Sequence, residues 1–132
     1  MLYVITGPPC GGKTTWVRDR AKPGDIVIDL DRIALSLTAE ETAPYEYPRH
    51  IRLLAIACRK SIIGLAMSAR TCDVYLIHSK PSGKQKSQYV KAGATFVHRS
   101  APVEELLRRA TAERPDWYLP LIWSWFDEAE SH

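Results

Sequence analysis

The sequence is short of cysteine and of long apolar runs, and both absences narrow the field. Only Cys10, Cys58 and Cys72 occur in 132 residues. They are odd in number and lack C-x-x-C spacing, so neither a disulfide framework nor a zinc site is indicated, and the thiols read as buried or incidental. No apolar stretch reaches the roughly 18–20 residues of a membrane helix. No basic-then-apolar leader precedes Leu2-Tyr3-Val4-Ile5, so a cytoplasmic protein with no membrane partner is expected. There is also no internal repeat, low-complexity tract or linker. A single domain spanning 1–132 follows, long enough to bury its own core.

Acidic residues are missing from one stretch. None falls between Val74 and Val103, where Lys80, Lys84, Lys86, Lys91 and Arg99 all lie. With a net charge of only +3, the distribution matters more than the total. It reads either as a positive field suited to phosphates or as a solvated lysine-rich face.

The apolar pattern alternates between short runs and helical periods, the pattern of an α/β protein with a parallel sheet flanked by helices. Strands are expected at 2–6, 25–29, 74–78 and 94–98. The run Val74-Tyr75-Leu76-Ile77-His78 is continuous enough for a central strand. Helices are expected from Gly12-Lys13 to about Ala21, from about Pro48 to Ala69, and at about 84–92, 102–113 and 116–128. Asp31 is placed to cap a short helix after the second strand. With right-handed crossovers these elements make a three-layer α/β domain.

Gly7-Pro8-Pro9-Cys10-Gly11-Gly12-Lys13-Thr14 fits G-x-x-x-x-G-K-[ST] at every fixed position. It follows a strand and opens a helix, as a phosphate-binding loop must. Glycines at 7, 11 and 12 let backbone N–H groups turn inward, and the helix start adds donors and a positive dipole end. In such a loop Lys13 reaches the β- and γ-phosphates of ATP, Thr14 ligates Mg²⁺, and Thr15 continues the nucleotide contact.

Asp29-Leu30-Asp31-Arg32 ends the second strand, on the rim where parallel α/β sheets bind ligands. Asp31 reads as a general base for an attacking hydroxyl or as a helix cap. Asp29 reads as a holder of metal-bound water or as a solvated strand end. Arg108, Arg109 and Arg114 read as stabilisers of a transferring phosphoryl group or as a basic helix surface.

The run from Gly7 to Arg18, with Pro23-Gly24-Asp25-Ile26-Val27-Ile28-Asp29-Leu30-Asp31 after it, resembles small P-loop kinase-like, ATP-binding proteins often encoded by bacteriophages of actinobacteria. It is more distantly similar to phage polynucleotide 5′-kinases and to adenylate-kinase-like enzymes. The resemblance implies a P-loop NTPase domain with strand order 2-3-1-4. It implies Asp31 as general base, and Arg109 and Arg114 as lid arginines. The chain departs from the pattern at Ile77-His78-Ser79, where no carboxylate stands at the end of the third strand to approach Mg²⁺. Magnesium would then rest on Thr14, waters and Asp29 or Asp31. The features of a ring-forming motor, a sensor arginine and an extra helical subdomain, are also lacking.

Residues 44–52 should face the acceptor. Tyr45 and Tyr47 can stack on a base or pack on the body, and Arg49 or His50 can hold a phosphate or sugar. His78 and His98 end strands and read as hydrogen-bonded structural residues. The Trp117–Phe126 stretch is apolar on more than one helical face, which suggests a homodimer or protein-partner contact. The leading reading is an ATP-dependent phosphotransferase acting on a hydroxyl of a nucleotide, nucleic-acid end or small metabolite. A nucleotide-dependent binding module and a simple NTP hydrolase are the alternatives.

Overall fold

The computed structural model describes residues 1–8, 11–40, 46–69, 71–100, 102, 104–105 and 107–109. Strands β1 (Leu2–Thr6), β2 (Ile26–Ile28), β3 (Val74–Ile77) and β4 (Thr95–His98) form one parallel sheet in the order β2-β3-β1-β4. Helices α1 (Lys13–Arg20), α2 (Leu30–Ser36), α3 (Arg49–Ala66) and α4 (Gly83–Lys91) connect them. This is the expected α/β architecture and strand order. Residues 104–105 and 107–109 are also helical, while the expected helix at 116–128 lies outside the described residues.

Alternation along β1 divides the core. Leu2 and Val4 pack with Val74, Leu76, Ile28, Ala66 and Tyr89 on the face covered by α3 and α4. Ile5 packs with Tyr75, Ile77 and Val17 on the opposite face, under α1. There Tyr3 stacks on Tyr75 at 5.1 Å, and Trp16 meets both rings edge-on. All four residues of β3 are buried, because helices cover it on both sides.

The caps explain where helices begin. Asp29, not Asp31, is the N-cap of α2: its Oδ1 accepts from the Asp31 N–H at 3.1 Å. The strand ends one residue earlier than expected, at Ile28, so the capping position moves back and Asp31 falls in the first helical turn. At α4, Ser82 and Gln85 form a reciprocal capping box.

Candidate functional site

The loop after β1 is fixed to both neighbouring strands. The Gly7 N–H donates to the Ser79 carbonyl beyond β3 at 3.0 Å, and the Arg99 N–H donates to the Thr6 carbonyl at 2.8 Å. Gly7 has φ of 140°, and a Cβ there would run into the Arg99 carbonyl oxygen. A Cβ on Gly11 would stand 2.6 Å from the same oxygen. Both glycines are needed because backbone packs on backbone.

Gly12, with φ of 91°, precedes α1 in the left-handed region, and among the described residues no side chain caps that helix. An uncapped helix start presents N–H donors and the positive end of the dipole toward the loop. Lys13 bends back across the turn, its Nζ donating to the Gly7 and Pro8 carbonyls at 2.8 Å each. Thr14 is exposed at the helix start, and the Thr15 hydroxyl accepts from Arg18 at 3.4 Å. Pro9 and Cys10 lie outside the described residues.

A cavity of about 400 Å³ beside α1 is lined by Thr14, Val17, Arg18, Val27, Asp29 and Arg32, among others. It joins the loop helix to the end of β2. Burial raises the Asp29 carboxyl above the usual carboxylate range and Asp31 adds to the rise; the Asp31 N–H, Arg32 and Lys13 pull the other way. Asp29 is therefore the carboxylate that faces the loop. Asp31 is exposed on α2 and does not line this cavity.

Among the described residues there is no group of three or more His, Cys, Asp or Glu side chains able to hold a metal. The donors that fit magnesium are the Thr14 hydroxyl and the Asp29 carboxylate on this one cavity. Such an oxygen-only set suits an ion that usually takes one or two protein ligands besides phosphate and water. No carboxylate stands at the end of β3. His78 is buried there instead, its Nδ1 2.9 Å from the Tyr89 hydroxyl, and burial lowers its pKa to about 4.

Other expected site residues sit elsewhere. Arg49 and His50 are exposed in the first turn of α3 and do not line the cavity. Tyr47 is buried with Ala34 and Ala55, its hydroxyl reaching the Asp31 carbonyl at 3.4 Å. The stacking reading of Tyr47 is thus replaced by the packing one. His98 pairs with the Thr6 hydroxyl at 3.0 Å. Arg108 and Arg109 both pair with Glu105, the latter at 3.2 Å. Tyr45, Arg114 and the Trp-rich stretch lie outside the described residues. Sequence reasoning missed Arg18 and Arg32; the spacing of Arg32, three residues after a strand-end carboxylate, was the available signal.

A second, larger groove of about 1050 Å³ lies on the other face of the sheet, between α4 and β4, lined by Thr6, Ser79, Lys80, Lys86, Val90 and Phe96, among others. No described helix is long and apolar enough to cross a membrane.

No protein-family model matches the sequence, and no curated protein matches it. Among solved structures, the chain is similar to one in the structure of a Pnkp1/Rnl/Hen1 complex, with a TM-score of 0.58 and 20% sequence identity. The match covers 87% of this chain and 43% of that one, so this chain spans less than half of that protein's length. At this identity the likeness is one of fold alone.

Proposed function

We propose that the chain is an ATP-dependent phosphotransferase that moves the γ-phosphoryl group to a hydroxyl of a nucleotide, a nucleic-acid end or a small metabolite. The observation that carries this reading is the cavity uniting Thr14, Asp29 and Arg32 beside the Gly7–Thr14 loop. The similar solved chain belongs to a complex that contains Pnkp1, a polynucleotide kinase, and that supports the same class.

In this reading the loop N–H groups and Lys13 hold the β- and γ-phosphates, Lys13 exchanging its two loop carbonyls for phosphate oxygens. Magnesium, when bound, would be held on the protein side by the Thr14 hydroxyl and would neutralise phosphate charge, which leaves the Asp29 carboxylate for the acceptor's proton. Arg32 faces the acceptor from across the cavity. The acceptor oxygen bonds to the γ-phosphorus as the bond to the β,γ-bridging oxygen breaks, and its proton passes to Asp29, whose raised pKa suits a base. Asp31 supports that basicity as a neighbouring negative charge. Arg109, on leaving Glu105, and Arg114 would be the cations offered to the phosphoryl oxygens.

The test is transfer of labelled γ-phosphate from Mg-ATP to 5′-hydroxyl DNA and RNA, nucleosides, nucleoside monophosphates and polyols, with Lys13→Ala as the blank. Lys13-dependent label on one acceptor class establishes the kinase and names its substrate. Tight ATP binding without transfer refutes it and favours a nucleotide-dependent binding module. Two observations favour that second reading: a neutral buried histidine ends β3, and Glu105 holds Arg108 and Arg109.

A further inference from the structure

The groove between α4 and β4 is not part of the site above. Alternation puts its strand residues on the opposite face from that site: Phe96 and His98 pair with Val4 and Thr6 of β1, and Val4 belongs to the core under α3 and α4. The cavity holding Thr14 and Asp29 is bordered by Val17, Val27 and Ile77, which pack on the α1 side.

Three properties of the groove point to one kind of ligand. First, none of its described lining residues is acidic, and no acidic residue occurs anywhere between positions 74 and 103. Lys80 and Lys86 line it directly, and Lys84, Lys91 and Arg99 add positive charge from the same stretch. Second, it holds an aromatic ring that the core does not consume: Phe96 is 39% exposed, and Val90 opposite it on α4 is 62% exposed. Third, hydroxyl residues are among its lining: Thr6, bonded to His98, Ser79, and Ser82, which caps α4. The helical spacing explains the arrangement. Gly83, Lys86 and Val90 recur every three or four residues on one side of α4, while Tyr89 turns to the core.

Cations beside a stackable aromatic face match the two ends of a nucleotide, a phosphate and a planar base. We propose that the α4–β4 groove is a second binding site, for a nucleotide unit, with the phosphate at Lys80 and Lys86 and the base on Phe96. The unit comes either from a free mononucleotide or from one residue of a single strand. The site does not depend on phosphoryl transfer, so it stands or falls apart from the function proposed above.

The experiment titrates the full chain in EDTA, without ATP, using thymidine monophosphate and a fluorescein-labelled oligo(dT) as probes. Binding is read by isothermal calorimetry for the first and anisotropy for the second. Phe96→Ala is expected to weaken binding about tenfold, within the range for loss of one stacked base. For the strand, Lys80→Ala and Lys86→Ala should each lower the salt slope of binding by about 0.7. Lys13→Ala should bind as the parent does. Binding of both probes assigns the site to either source, and binding of the oligonucleotide alone assigns it to a strand. Because Phe96→Ala borders the core, exposed Lys86→Glu is the second variant, checked for native circular dichroism, and should weaken both probes. Neither probe binding, binding unchanged in the Phe96 and lysine variants, or binding lost only in Lys13→Ala each overturns the proposal.

Discussion

The Nδ1 of His78 lies 2.9 Å from the hydroxyl of Tyr89, joining the end of β3 to the inner side of α4. Both residues are buried, so each polar group depends on the other for its hydrogen bond. The pair ties the helix beside the basic groove to the central strand of the sheet. It also occupies the position where a metal-directed carboxylate was absent from the sequence.

Burial of His78 makes stability depend on pH. His78 has its pKa lowered to about 4 by burial, with Arg59 adding to the effect, against about 6.5 in the unfolded chain. The unfolded state therefore binds the proton first. The stabilisation is fully present above pH 6.5 and is lost as pH falls from 6.5 to 4, amounting to as much as roughly 3 kcal/mol. Urea denaturation at pH 7.5 and 4.5 should show this difference, and His78→Asn should flatten the histidine part of it. An equal pH response in the variant would exclude His78 as its source.

Gly7→Ala and Gly11→Ala should each damage the loop far more than an alanine normally would. At Gly7 a side chain meets both an unfavourable backbone angle and the Arg99 carbonyl; at Gly11 it meets the Arg99 and Pro8 carbonyls. The backbone angle alone costs about 1–2 kcal/mol. ATP affinity measured by calorimetry should fall at least about tenfold for Gly7→Ala, with a lower melting temperature. Unchanged affinity would mean that the loop can move off Arg99 without loss.

Asp29→Asn and Asp31→Asn separate two neighbouring carboxylates. Asparagine caps a helix about as well as aspartate, so Asp29→Asn should keep the melting temperature while lowering phosphoryl transfer by about 10²–10⁴-fold. Asp31→Asn should stay within a few-fold of the parent rate. The reverse ranking would return the base to Asp31.

Tyr47 offers a check on packing against recognition. Tyr47→Phe removes one long hydrogen bond of 3.4 Å and should cost no more than about 1 kcal/mol. Tyr47→Ala opens a hole beside Ala34 and Ala55 and should cost about 3–5 kcal/mol. Acceptor KM should be the same in Tyr47→Phe as in the parent. A raised KM there would show that the ring meets the acceptor.

Much of the architecture was legible because its signals are local. The β3 run is apolar at every position, as a strand covered on both faces must be, and the Gly7–Thr14 spacing marks a strand-to-helix loop wherever it occurs. What was not legible depends on contacts between distant segments. Asp29 and Asp31 differ by two positions and by no chemistry. Only the end of β2 at Ile28 decides which one caps α2 and faces Thr14. Tyr47 looked available because its neighbours are polar, yet it fills a gap between α2 and α3. The α4–β4 groove draws on β1, β4 and the segment after β3, and no window of sequence contains all three.

The contact between Gly7 and position 99 places its demands on one partner only. The oxygen that Gly7 and Gly11 approach belongs to the main chain of Arg99, and every amino acid carries such an oxygen. Position 99 is thus open to any side chain that leaves its own N–H for the Thr6 carbonyl, while positions 7 and 11 are not. A constraint felt by two segments is written into the letters of just one, and the other keeps its surface open to change for a different purpose.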